Sequence, residues 1–153
     1  MPGSADALLI APSDDLAASV ALAKQAELEV ASDQAPPLAM WGAFDGERMV
    51  GTVSLNDYKG LPIVGRIAVE RSYRGQGLGR RLLAELEQEA RRRALPTLWA
   101  TARAPGFFVA NGFAVVTQGA EQALLLSECA DCHQRGKMCH PRAVRKELAP
   151  STP

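Results

Sequence analysis

Three glycines at alternate positions, Gly75, Gly77 and Gly79, sit between arginines in the segment Arg74-Gly75-Gln76-Gly77-Leu78-Gly79-Arg80-Arg81. A glycine carries no Cβ, so its peptide N–H can approach a ligand that a side chain would hold off. The apolar run Ile63 to Val69 leads into this segment and reads as a buried strand. Leu78 to Ala94 leads out of it with helical periodicity. The first N–H groups of a helix have no partner within it, and that end of its dipole is positive. A strand, a glycine loop and a helix in this order make an anion site, most simply one for a pyrophosphate.

Spacing separates the families that use such a corner. A phosphate-binding loop of the Walker A kind needs Gly-Lys-Ser/Thr, whereas Gly79 is followed by Arg80-Arg81, with no hydroxyl placed for magnesium. A dinucleotide fingerprint is Gly-x-Gly-x-x-Gly, whereas this segment reads Gly-x-Gly-x-Gly. A glycine-rich turn without a ligand is disfavoured by the strand and helix patterns on either side. Arg74, Gly77 and Gly79 do match the Arg/Gln-x-x-Gly-x-Gly/Ala signature of the acyl-CoA-dependent N-acetyltransferases, and the chain resembles this GNAT superfamily. Ile67-Ala68-Val69 before the signature and Arg80-Arg81-Leu82-Leu83 after it resemble the family as well. So does the segment Phe107-Phe108-Val109-Ala110-Asn111-Gly112-Phe113, which is similar to the family's Phe-Tyr-x-x-x-Gly-Phe. The resembling stretches cover roughly residues 6 to 118 and come in the family's order.

The resemblance implies an α/β (mixed α+β) GNAT fold, a central mostly antiparallel sheet flanked by helices, here followed by a cysteine-containing C-terminal tail. It implies acetyl-CoA as co-substrate. The backbone of Ile67, Ala68 and Val69 would pair with the pantetheine arm. Arg74, Gly75, Gln76, Gly77, Leu78 and Gly79 would hold the pyrophosphate, with Arg80 close to it. Thr101 stands where many members have an Asn that contacts pantetheine. Phe108 stands where many have the Tyr invoked as general acid, and Phe has no proton to give. Thr101 to Phe108 looks most like the N-acetylglutamate-synthase-like branch, which acetylates the α-amine of amino acids or close mimics. Transfer to the primary amine of a small molecule follows, an amino acid among the candidates, by direct attack on the thioester. Two alternatives stay open: a non-catalytic acyl-CoA-binding regulator and a protein-modifying acetyltransferase.

Direct transfer requires an ammonium to lose a proton and an oxyanion to be stabilised. By family analogy the oxyanion donor is the Val69 N–H. The strand Ile63 to Val69 contains no carboxylate, so no base stands out. Glu70, Asp57 and Tyr58 are candidates, and each is also an ordinary loop residue.

The positioning elements can be read in order. Leu8 to Ala11 is a short strand, and Ser13 or Asp14 is placed to cap a helix from Leu16 to about Val30. Ala31 to Pro37 is a loop. Leu38 to Phe44 and Arg48 to Leu55 form a hairpin over Asp45-Gly46. Asn56 to Pro62 reads as a polar loop. Leu95 to Ala100 is a strand, Pro105 opens a short helix, and Phe113 to Val116 is a further strand. The arginines 91–93 read as a solvated helix end that suits the dipole. Ala143 to Leu148 reads as a final strand.

The chain has 153 residues, enough for one domain with a real core, which we place at residues 6–148 with a frayed tail at 149–153. Seventeen basic residues balance seventeen acidic ones, so bulk charge suggests neither a nucleic-acid nor a membrane partner. No apolar stretch is long enough to span a bilayer and the first residues do not resemble a signal peptide, which makes cytoplasmic the expected location. A homodimer is left open. All three cysteines fall in one cluster, Cys129, Cys132 and Cys139, with His133 and His140 beside them. The set could complete a tetrahedral zinc site, but its spacing is shorter than in common zinc fingers, and a cysteine cluster without metal is the favoured reading.

Overall fold

The computed structural model describes residues 8–25, 37–102, 105–127 and 142–148. The chain forms β1 (Leu9–Pro12), α1 (Leu16–Gln25), β2 (Ala39–Asp45), β3 (Arg48–Tyr58), β4 (Leu61–Val69), α2 (Leu78–Arg92), β5 (Thr97–Ala102), α3 (Gly106–Ala110), β6 (Ala114–Val116), α4 (Ala120–Ser127) and β7 (Arg142–Glu147). A single 3-10 turn, Arg71–Tyr73, lies between β4 and α2. The seven strands make one sheet in the order β1-β2-β3-β4-β5-β7-β6. Every neighbouring pair is antiparallel except β4 and β5, which are parallel.

The first hairpin turns on Gly46 (φ 64°), with Asp45 opposite Arg48. The second turns on Lys59 and Gly60, both at positive φ, the conformation that a tight two-residue hairpin requires. The expected polar loop at 56–62 therefore shrinks to these two residues. Asn56, Asp57 and Tyr58 belong to β3, and Leu61 and Pro62 to β4. Alternation alone conceals this, because β3 is buried on both faces over most of its length.

Helix α2 covers one face of the sheet. Its Leu78, Leu82, Leu83, Leu86 and Ala90 pack with Val53, Leu55, Leu98 and Ala100. On the other face, Leu22 of α1 packs with Met49 and Ala68. There Ser19 Oγ shares a 2.7 Å hydrogen bond with Thr52 Oγ1, and Arg66 Nε donates to Ser19 Oγ at 3.3 Å. Asp15, rather than Ser13 or Asp14, caps α1, because its Oδ1 accepts from the Ala18 N–H at 3.1 Å. Leu125 of α4 packs with Ile63, Trp99 and Ala143. The final strand does form, and it inserts between β5 and β6. Lys146 of β7 is held by Glu87 of α2 at 2.7 Å and donates to the Asn111 carbonyl at 2.9 Å.

The arginines at the end of α2 are ion-paired. Arg92 and Arg93 both bond Glu89, and Arg91 reaches Glu87. Among the described residues no helix is long and apolar enough to cross a membrane. The cysteines, His133, His140 and the expected loop at 31–36 lie outside the described residues, as does any zinc site they would form.

Candidate active site

The site is set by where the sheet parts. β4 and β5 register at Ile63 opposite Trp99. From there β4 follows β3 to Val69, while β5 follows β7 to Ala102. The parting has a local cause. Ser54 lies opposite Arg66 but Leu55 lies opposite Val64, so Gly65 is an extra residue in β4. A bulged strand bends and twists more strongly, which turns β4 away from β5. Glycine suits this place, because a Cβ on residue 65 would come 2.1 Å from Asn56 Oδ1 and 3.0 Å from Ser54 Oγ unless those side chains shifted. Those two side chains are already bonded to each other at 2.8 Å.

The glycine corner closes the C-terminal end of β4. Gly75 and Gly77 take left-handed backbone, φ 81° and 77°, with open space where a Cβ would be. Gly77 is also the N-cap of α2, and having no side chain it leaves the first helical N–H groups uncapped by one. Gly79 meets a packing demand as well. It already lies inside α2, and a Cβ there would meet the ring of Phe107 at 3.3 Å. Its missing side chain lets α3 pack against the start of α2. Gly75, Gln76, Gly77 and Arg80 are exposed and Leu78 is buried in the core. Arg74 Nε donates to the Val69 carbonyl at 2.9 Å, so part of the signature arginine closes the loop over the end of β4.

Ile67 and Val69 are partly buried and Ala68 is buried. Thr101 is the next-to-last residue of β5, beyond its contact with β4, and its buried Oγ1 has no hydrogen-bond partner among the described residues. A buried hydroxyl left without a partner is costly, and a bound ligand's amide is the kind of group that satisfies it. Phe108 is 7% exposed and stands edge-on between Phe107 and Phe113, with centroids at 5.4 and 5.2 Å. Its ring is part of the core.

The three base candidates are not brought together. Glu70 follows β4 at the corner and is held in an ion pair with Arg48, while Ser72 Oγ donates to its other oxygen at 3.1 Å. That bond and charge hold the Arg48 guanidinium above its ordinary pKa. Asp57 and Tyr58 lie at the opposite end of β4, opposite Pro62 and Leu61, about 26 Å or more from Glu70 along the strand at roughly 3.3 Å per residue. Asp57 is exposed, and Tyr58 packs on the Ile63–Trp99–Leu125 cluster. Sequence reasoning passed over Arg66. It is 5% exposed, and burial lowers its pKa from the usual guanidinium value. A cation in an apolar run is the signal that was there to find it.

Solved structures share this architecture. The ribosomal-protein-S18-alanine N-acetyltransferase of Escherichia coli superposes with a TM-score of 0.69 at 19% identity, over 95% of this chain and 96% of that one. A Mycobacterium tuberculosis protein solved in complex with CoA gives 0.70 at 16% identity, over 92% of this chain and 99% of its own. N-acetylglutamate synthase of Neisseria gonorrhoeae, solved with coenzyme A and N-acetyl-glutamate, gives 0.68 at 18% identity, over 92% of this chain and 35% of its own. Comparison with curated proteins returned no match. The model of the acetyltransferase (GNAT) family matches residues 10–113, which include the parted strands, the glycine corner and the Gly112-Phe113 segment. The chain belongs to the GNAT acetyltransferase family.

Proposed function

We propose that this chain transfers the acetyl group of acetyl-CoA to the primary amine of a small molecule, with amino acids among the acceptors. The observation that carries the reading is the corner itself. Two left-handed glycines and an uncapped helix start stand at the end of a strand that has parted from its neighbour β5. Backbone donors there suit a pyrophosphate, and the edge of β4 along Ile67 to Val69 suits the amides of a pantetheine arm. Arg80 adds positive charge next to the phosphates, and near the end of β5 the buried Thr101 hydroxyl has no partner among the described residues.

In the reaction the amine nitrogen, once deprotonated, forms a bond to the thioester carbon. The carbonyl oxygen becomes an oxyanion, which by family analogy the Val69 N–H would stabilise. The C–S bond then breaks, the sulfur leaves as thiolate, and the nitrogen gives up its extra proton to water and keeps the acetyl group as an amide. A thiol of pKa about 8.5 is a tolerable leaving group near neutrality, so the sulfur can take its proton late, from water. This accommodates Phe108 in place of a tyrosine. The same phenylalanine favours a second reading, a regulator that binds acyl-CoA without turning it over.

The test is release of free thiol together with acetylated product, on a panel of amino acids, other small amines and a peptide with a free N-terminus. Turnover on a small amine supports the proposal. Turnover on the peptide alone assigns a protein-modifying enzyme. Binding of acetyl-CoA with no turnover on any acceptor assigns the regulator.

A further inference from the structure

We propose that Tyr73, with Asp45 and Arg48, forms a strap that positions the glycine corner for the phosphates, so that the tip of the β2–β3 hairpin sets affinity for acetyl-CoA. This rests on the reading of the corner given above. Tyr73 is 3% exposed, its ring packed in the main core and its hydroxyl aimed at the hairpin. That hydroxyl donates to Asp45 Oδ2 and accepts from Arg48 Nη2 at 3.3 Å. Arg48 lies 5.8 Å from the Tyr73 ring centroid and also holds Glu70 through Nη1. Glu70 in turn accepts from Ser72, and its N–H donates to the Val50 carbonyl at 2.8 Å. Both residues that open and close the hairpin turn, Asp45 and Arg48, thus grip the segment between β4 and Gly75.

The grip has a purpose that core packing alone does not supply. Residues 70–74 make only one 3-10 turn, and residues 74–77 are exposed. A single residue, Arg74, separates Tyr73 from the first left-handed glycine, Gly75. A ring buried at one end and bonded at the other removes the freedom of this short run before any ligand arrives. Preorganising a binding loop raises affinity by lowering the ordering cost of binding. The bond to Asp45 raises the Tyr73 phenol above its ordinary pKa of 10, so the hydroxyl stays protonated and donating at neutral pH.

The test measures acetyl-CoA affinity by calorimetry and KM and kcat on a working amine, for wild type, Tyr73→Phe, Asp45→Ala and Asp45→Asn. Phe keeps the packed ring and removes the strap, while Asn keeps an oxygen that can accept the phenol proton. The expected result is a rise of about tenfold in Kd and KM for acetyl-CoA in Tyr73→Phe and Asp45→Ala, the scale of one hydrogen bond to a charged group. Asp45→Asn should recover most of it, and kcat should stay within about twofold. The double variant Tyr73→Phe/Asp45→Ala should lose no more than either single one, as coupled partners do. A core control, Leu98→Ala, lowers the melting temperature without raising Kd. Wild type that binds acetyl-CoA while Tyr73→Phe binds it equally well overturns the strap alone. A Tyr73→Phe that loses kcat with KM unchanged does the same. Wild type that does not bind acetyl-CoA overturns the corner and the strap together.

Discussion

Glu70 is the carboxylate nearest the expected chemistry, and its partners argue against its use as a base. One oxygen pairs with Arg48 and the other accepts from Ser72. Both oxygens are thus engaged by neighbours on the corner, and neither is turned out toward an amine. Glu70→Gln keeps an oxygen for Arg48, and turnover should fall less than about tenfold, well short of the roughly 10²–10⁴-fold loss of a positioned acid or base. Steady-state rates on a working amine check this, and a loss of three orders of magnitude would reinstate Glu70. At the same scale the three glycines differ. Residues 75 and 77 are glycine for their backbone, and residue 79 for the ring of Phe107. Alternate spacing showed the corner, but not this division, since the contact with Phe107 joins residues far apart in sequence.

Among the elements, β4 and α2 carry the site. The bend in β4 depends on Gly65, whose place a methyl group cannot share with Asn56 Oδ1. Gly65→Ala should destabilise the fold by about 1–3 kcal/mol, the range for overpacking, in urea unfolding. Unchanged stability would show that Asn56 moves aside freely. In the last turn of α2, Arg93 and then Arg92 bond Glu89 and hold its carboxyl below the usual value of 4.5. A depressed carboxylate stabilises above its unfolded pKa and ceases to as pH falls through the folded one. Wild type should therefore lose its small advantage over Glu89→Gln, about 0.3–0.5 kcal/mol per exposed pair, as the pH drops below 4.5. Parallel unfolding curves of the two proteins from pH 6 to pH 3 measure it. A gap that persists at pH 3 would mean the carboxylate acts otherwise. Most element positions were legible, because α2 has one apolar face and the hairpins have turn residues. The reach of β3 to Tyr58 was not, since Asn56 and Asp57 are loop formers that pairing with β4 overrides. Nor was the place of β7, since order within a sheet is set by packing and not by local pattern.

On the scale of the whole molecule, the sheet is two units that share one parallel contact. Strands β1 to β4 form an antiparallel meander, and β5, β7 and β6 form the other unit. They meet at Ile63 and Trp99 and are joined across one face by α2. Helix α2 therefore carries its own N-terminus, Gly77, to the mouth of the parting, where a phosphate would meet it. The sequence showed this corner through glycine and arginine spacing, while the parting itself depends on a bulge at Gly65 that no spacing rule marks. The central claim, that the corner binds acetyl-CoA, is tested most directly by calorimetric titration of acetyl-CoA into wild type and Gly77→Val. Valine at φ 77° costs about 1–2 kcal/mol of backbone strain, and escaping that strain moves the donors off the phosphates. The account predicts binding by wild type and a loss of at least about tenfold in the variant, with far-UV circular dichroism unchanged. Equal affinity in a folded Gly77→Val protein would contradict it.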